Sequence, residues 1–174
     1  ILLRSIGILT GILIGFNEST TLAQDWLGAR SQHYRILGTA DDDDLLEIGV
    51  RLECFYLAIN TLFRGQDFRS PPPTTVIILD DDDDVEELGL TPQADGYFLE
   101  GMNENFIILS PESRRRKPFE PILRDFFRAI AEENLPEVPA WLREGLAEFY
   151  STIELDDELL VLGSPIEEHI RRVR

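Results

Sequence analysis

Phe119, Ile122, Leu123, Phe126, Phe127 and Ile130 recur at i, i+3, i+4, i+7, i+8 and i+11. A stripe of that period leaves the segment one stable form, an amphipathic helix whose apolar face must be packed against something else. Prolines lead into it at Pro118, and Asn134-Leu135-Pro136 ends it. Pro139-Ala140-Trp141 then starts a second helix carrying Leu142, Leu146 and Phe149, with proline in the position where its missing N–H costs nothing.

Upstream, the period changes repeatedly. His33 to Leu37 reads as a short strand ending at Gly38, and Asp41 to Asp44 open a helix, since carboxylates there cap free N–H groups and suit the positive end of the helix dipole. Leu45, Leu46, Ile48, Leu52, Phe55, Tyr56, Ile59 and Leu62 carry that helix to about Phe63, before Gly65 stops it. Pro71-Pro72-Pro73 is a stiff connection, and Thr75 to Leu79 is a buried strand by length and β-branching. Gly96 to Leu99 and Asn105 to Leu109 flank a Gly101-Met102-Asn103 turn and form a hairpin. Ile153 and Leu159 to Leu162, on either side of Asp156-Asp157, suggest a closing hairpin before a last helix that begins at Ser164-Pro165. The order β-α-β-α-β-β-α-α is that of an α+β domain, a small mixed or antiparallel sheet packed on helices, and is too irregular for a doubly wound sheet.

Composition narrows the function classes. With 174 residues, 43% of them hydrophobic, the chain can bury the core of one ordinary domain. A formal net charge of -17 repels phosphate backbones and anionic lipid, so nucleic acid is not an expected partner; the basic run Arg114 to Lys117 is only local. Cys54 is the one cysteine, which excludes an internal disulfide, and its apolar helical setting marks it as a small core residue. The acidic run Asp80 to Asp84 lacks the spaced ligands and turn glycine of a calcium loop and reads as a solvated helix cap.

The first 23 residues differ from the rest. Arg4 precedes an apolar run from Ile6 to Phe16, and Thr21-Leu22-Ala23 supplies small residues for cleavage before Gln24. Residues 1–23 therefore read as a signal-peptide-like leader and residues 24–174 as one domain, exported to a periplasmic or extracellular space, with no membrane contact beyond the leader. The same run also suits a buried N-terminal helix or an uncleaved anchor. The sequence stops at Arg174 inside a helical pattern, so a longer C-terminal portion is expected.

Trp141-Leu142-Arg143-Glu144-Gly145-Leu146-Ala147-Glu148-Phe149-Tyr150 resembles the glutamate helix of gluzincin metallopeptidases. With Gly96-Tyr97-Phe98, the strand from Phe106, the Leu135-Pro136 break and the Pro165 to His169 ending, the stretch from His33 to Arg174 resembles the peptidase-MA-like domains of exported bacterial proteins, which are often joined to helical repeats. The resemblance implies a zincin-like fold, a zinc ligand at Glu144 and an H-E-x-x-H helix just upstream. Counting back on the family spacing, that motif falls on Arg124-Asp125-Phe126-Phe127-Arg128.

The motif frame therefore reads R-D-x-x-R. A guanidinium has no lone pair to give a metal and stays protonated, so neither Arg124 nor Arg128 replaces a histidine. Asp125 stands one methylene short where the family has its general base. Without a metal nothing lowers the pKa of water from about 15.7 toward about 7. His33 and His169 lie near opposite ends of the domain and lack the i, i+4 spacing. Arg124 and Arg128, four apart on one helix face, are expected either to pair with Glu144 in place of a metal or to face solvent. Glu148 is expected to brace an arginine or stand exposed, and Tyr150 to be a core or rim aromatic. The resulting expectation is a non-catalytic pseudo-peptidase with no metal and no cofactor, a binding or structural module whose partner would be an extended peptide or protein. An altered zinc-dependent metallopeptidase and a structural domain that positions C-terminal repeats are the alternatives.

Overall fold

The computed structural model describes residues 2–4, 15–16, 26–64, 68–91, 96–110, 120–156, 159–165 and 171. The main sheet has six strands in the order β2 (Gly15–Phe16), β3 (Leu27–Arg30), β4 (Tyr34–Gly38), β5 (Thr74–Ile78), β7 (Asn105–Leu109), β6 (Tyr97–Leu99). Its centre is parallel, with Ile36 opposite Val76 and Val76 opposite Ile107, and antiparallel pairs flank that centre on both sides. A second, three-stranded antiparallel sheet orders β1 (Leu2–Arg4), β9 (Leu159–Val161) and β8 (Glu154–Asp156). Helices α1 (Asp42–Leu62), α2 (Asp82–Glu87), α3 (Glu120–Asn134) and α4 (Ala140–Ser151) complete a mixed α+β fold.

The acidic runs act as caps. The Asp41 side chain accepts from the Asp44 N–H at 2.9 Å, and Asp81 does the same for Asp84 at 2.8 Å, so each run satisfies orphan donors and fills the first turn with negative charge. One face of the sheet is covered by the large helices. Ile36, Val76, Ile78, Ile107 and Leu109 meet Leu45, Leu52 and Phe55 of α1 and Leu123, Phe126 and Phe127 of α3 in one core. The opposite face carries a small cluster of Leu79, Val85 and Ile108 beside α2. No helix among the described residues is long and apolar enough to cross a membrane.

The helical stripe from Ile122 to Ile130 is buried as the period requires. In α4 the buried line is Ala147, Tyr150 and Ser151, whereas Trp141 is 74% exposed and Leu142, read from sequence as a face residue, is 37% exposed. Strand β3 is not anticipated by the sequence reading, because Leu-Gly-Ala-Arg has neither alternation nor β-branching; pairing with β4 makes it a strand. Within the leader-like segment the described residues are the strands β1 and β2. Phe119 and, apart from Arg171, the last helix beyond Pro165 lie outside the described residues.

Gly96 enters β6 with φ of +106°, where an L side chain is strained. A Cβ there would also overlap Ile122 Cδ1 and come within 2.9 Å of the Ile108 carbonyl oxygen. Absence of a side chain thus lets β6 lie directly on α3. Gly96→Ala is expected to destabilise the fold by ~1 kcal/mol or more, read as a lower urea midpoint at unchanged slope; an unchanged midpoint would show that the contact relaxes freely.

Candidate functional site

Helices α3 and α4 pack antiparallel, and their facing surfaces carry two matched pairs of charges. Arg124 and Arg128 stand one turn apart on α3, as do Glu144 and Glu148 on α4, and each step forward on α3 meets a step back on α4. Arg128 Nε donates to Glu144 Oε1 at 2.8 Å and to Oε2 at 3.1 Å, while Nη2 donates to Oε2 at 2.6 Å. This is a forked, two-oxygen grip, the strong form of an arginine–carboxylate contact. The remaining amino group, Nη1, donates to Asp125 on the same helix.

Arg124 makes a different contact from the one expected. Its Nη1 donates to Glu148 Oε1 at 3.1 Å and not to Glu144. The register explains it, since one helical turn separates Arg124 from Arg128 and the nearest carboxylate is likewise one turn along α4. This second rung is the more enclosed of the two, with both side chains about 30% exposed, 29% for Arg124 and 30% for Glu148. Arg124 Nε and Glu148 Oε2 are buried with no partner among the described residues.

The charges tune one another. Arg128, through its hydrogen bonds, holds the Glu144 carboxyl below the usual range, helped by the fields of Arg124 and Arg143 and opposed by partial burial. Glu144 in turn pushes Arg128 further above its already high range. Tyr150 is a core aromatic, stacked on Phe127 with ring centroids 5.1 Å apart, and burial raises its phenol. The zinc centre implied by the gluzincin resemblance does not suit these residues. Both oxygens of Glu144 are engaged by a guanidinium, Asp125 is tied to the same arginine, and the arginines offer no donor lone pair. Among the described residues no three His, Cys, Asp or Glu side chains converge as a metal-ligand set.

A second polar cluster was not marked out by the sequence reading. His33 immediately precedes β4, and both its backbone N–H and its ring Nδ1 meet the Glu53 carboxylate, at 2.9 and 2.6 Å. Glu53 is buried within α1, and the imidazole stacks on Tyr56 with centroids 3.7 Å apart. The available signal was a carboxylate inside an apolar run, between Leu52 and Cys54, because a buried charge requires a partner. Cys54 itself is buried, and burial, then Glu53, pushes its thiol up. Beside this cluster lies a cavity of about 540 Å³ at the amino ends of β4, β5 and β7. At its rim Glu104 accepts from the Thr75 hydroxyl and from Arg35 Nη2 at 2.6 Å; the Thr75 bond foremost, then Arg35, lowers its carboxyl. His169 lies outside the described residues.

No family model, curated protein or solved structure matches the chain.

The Arg128–Glu144 rung is about half exposed, with Glu144 at 51%, so solvent screens it. A double-mutant cycle with Arg128→Ala and Glu144→Ala is expected to give a coupling below ~1 kcal/mol near neutral pH that shrinks in high salt. Because the folded carboxyl lies below its unfolded value, the coupling is present above the ordinary carboxylate range and lost as pH falls through the folded value. A coupling that survives at pH well below that range would mean the contact is not ionic.

Proposed function

We propose that the domain is an exported, gluzincin-like pseudo-peptidase, a non-catalytic module in which an arginine–glutamate ladder stands where the family holds its metal. The observation that carries this reading is the contact between the two positions that the resemblance aligns with the second histidine and the glutamate ligand. Arg128 and Glu144, separated by residues 129–143, grip one another through three hydrogen bonds across α3 and α4. A metal-binding pair of helices and an ion-paired one need the same juxtaposition, so the pairing supports the motif frame while replacing its chemistry. The ladder adds little to stability, since solvent screens the Arg128–Glu144 rung and desolvation offsets much of the Coulomb attraction in the other.

The ligand class in this reading is extended peptide. Strand β6 ends the main sheet and pairs only with β7 among the described residues, and an edge of that kind can accept a further strand through its free N–H and C=O groups. Leu99 and Met102, 45% and 97% exposed, provide apolar contacts next to that edge.

Elemental analysis separates the reading from its enzymatic alternative. The native chain is expected to purify without zinc, and the combined variant Arg124→His, Asp125→Glu, Arg128→His to take up about one zinc per chain. Stoichiometric zinc in the native protein, or chelator-sensitive cleavage of a peptide library, would overturn the pseudo-peptidase reading. Zinc in neither protein would overturn the motif frame.

A further inference from the structure

The cavity at the amino ends of the parallel strands is separate from the ladder, none of whose four residues lines it. Its volume of about 540 Å³ falls in the range of small-molecule sites, roughly 300–1,000 Å³. Its polar groups are unevenly committed. Arg35 and Glu104 neutralise each other at the rim, and Glu104 is the one acidic residue among the described lining residues. Arg30 also lines the cavity, is exposed, and has no carboxylate partner among the described residues. His33 is held by Glu53 through Nδ1 and by the Tyr56 ring, while its Nε2 has no partner among the described residues.

A third group points inward. Tyr34 is only 3% exposed and its hydroxyl is buried without a partner among the described residues. An interior hydroxyl left unpaired costs free energy, and Tyr34 is a lining residue whose hydroxyl lies behind the cavity surface. Burial, with Glu53 and Tyr56, pushes this phenol well above its usual range, so it stays a neutral donor. Pro71, Pro72 and Pro73 give the cavity a rigid apolar wall.

We propose that this cavity binds a small organic anion, a carboxylate carried on a ring or short apolar chain, with Arg30 on the carboxylate and the proline wall against the apolar part. Charge favours this class over its competitors. The sole lining carboxylate is already shared by Arg35 and Thr75, which leaves nothing for a cationic ligand. A neutral ligand would leave the Arg30 charge unmatched. On a chain of net charge -17, two arginines against one glutamate among the lining residues are a local reversal of sign.

Amide correlation spectra of the full chain test this with benzoate, benzyl alcohol and benzylamine, which share a ring and differ in charge. Benzoate is expected to shift the amides of Ser31 to Arg35, Ser70 and Thr75, with the alcohol and the amine binding at least about tenfold more weakly. Arg30→Ala, at an exposed position, is expected to weaken benzoate by about tenfold while the remaining resonances hold their places. Equal binding of the three probes, an Arg30→Ala protein of unchanged affinity, or no benzoate shift up to about 10 mM would overturn the proposal. A short peptide ending in phenylalanine, free or amidated at its C-terminus, identifies the source of the carboxylate. Binding of the free-ended form alone assigns a peptide end, and failure of both forms beside bound benzoate assigns a free acid.

Discussion

Packing of α3 against α4 is the constraint on which the arrangement of charges depends. Phe126 and Phe127 anchor α3 in the core, with Phe126 against Phe55 and Phe98 and Phe127 against Tyr150. Once those rings are buried, the rotation of α3 about its axis is fixed, and Arg124 and Arg128 emerge on the flank that faces α4. Ala147, fully buried, lets α4 come close enough for the carboxylates one turn apart to meet them. The ion pairs follow from the apolar contacts and not the reverse. Exposed pairs of this kind contribute little to stability, whereas burying aromatic side chains contributes several kcal/mol of order.

This ordering of causes explains what was legible in the sequence. The stripe from Ile122 to Ile130, the caps at Asp41 and Asp81, the β6–β7 hairpin and the break at Leu135-Pro136 are encoded within a few residues, and each stands near its expected place. The pairing of Arg128 with Glu144 was open to inference because both lie on helices of known period. That Glu148 braces an arginine was one of two expectations, but which arginine it takes was not legible, because that depends on the relative height of two helices, which the intervening loop sets. The parallel alignment of β4, β5 and β7 has no local signal either. It arises when α1 and the segment after β5 cross over the sheet and return each strand in the same direction.

His33 illustrates a different limit. Judged by spacing from other metal-ligand types, it had no role, since no second histidine stood four residues away. Its partner is a carboxylate twenty residues along the chain, on the face of α1 that lies over β4. Contacts between a strand start and the middle of the following helix are fixed by the crossover, and no periodicity announces them. A buried glutamate in an apolar stripe states that a partner exists without saying which.

The sheet also has a polarity that no single motif expresses. In parallel sheets ligands usually gather beyond the carboxyl ends of the strands, where helix N-termini point. Here the carboxyl ends of β4 and β5 lead into Asp41 to Asp44 and Asp80 to Asp84. Thr39 closes this end by donating to Asp84 at 2.6 Å and accepting from the Asp80 N–H at 2.9 Å. The helix N-termini are consumed by their own aspartates, and an approaching anion meets negative charge. At the amino ends the balance differs, with Arg30 and Arg35 against Glu104 around the open cavity. Strand direction thus separates an acidic, self-capped end from a recessed one whose lining holds more arginine than carboxylate.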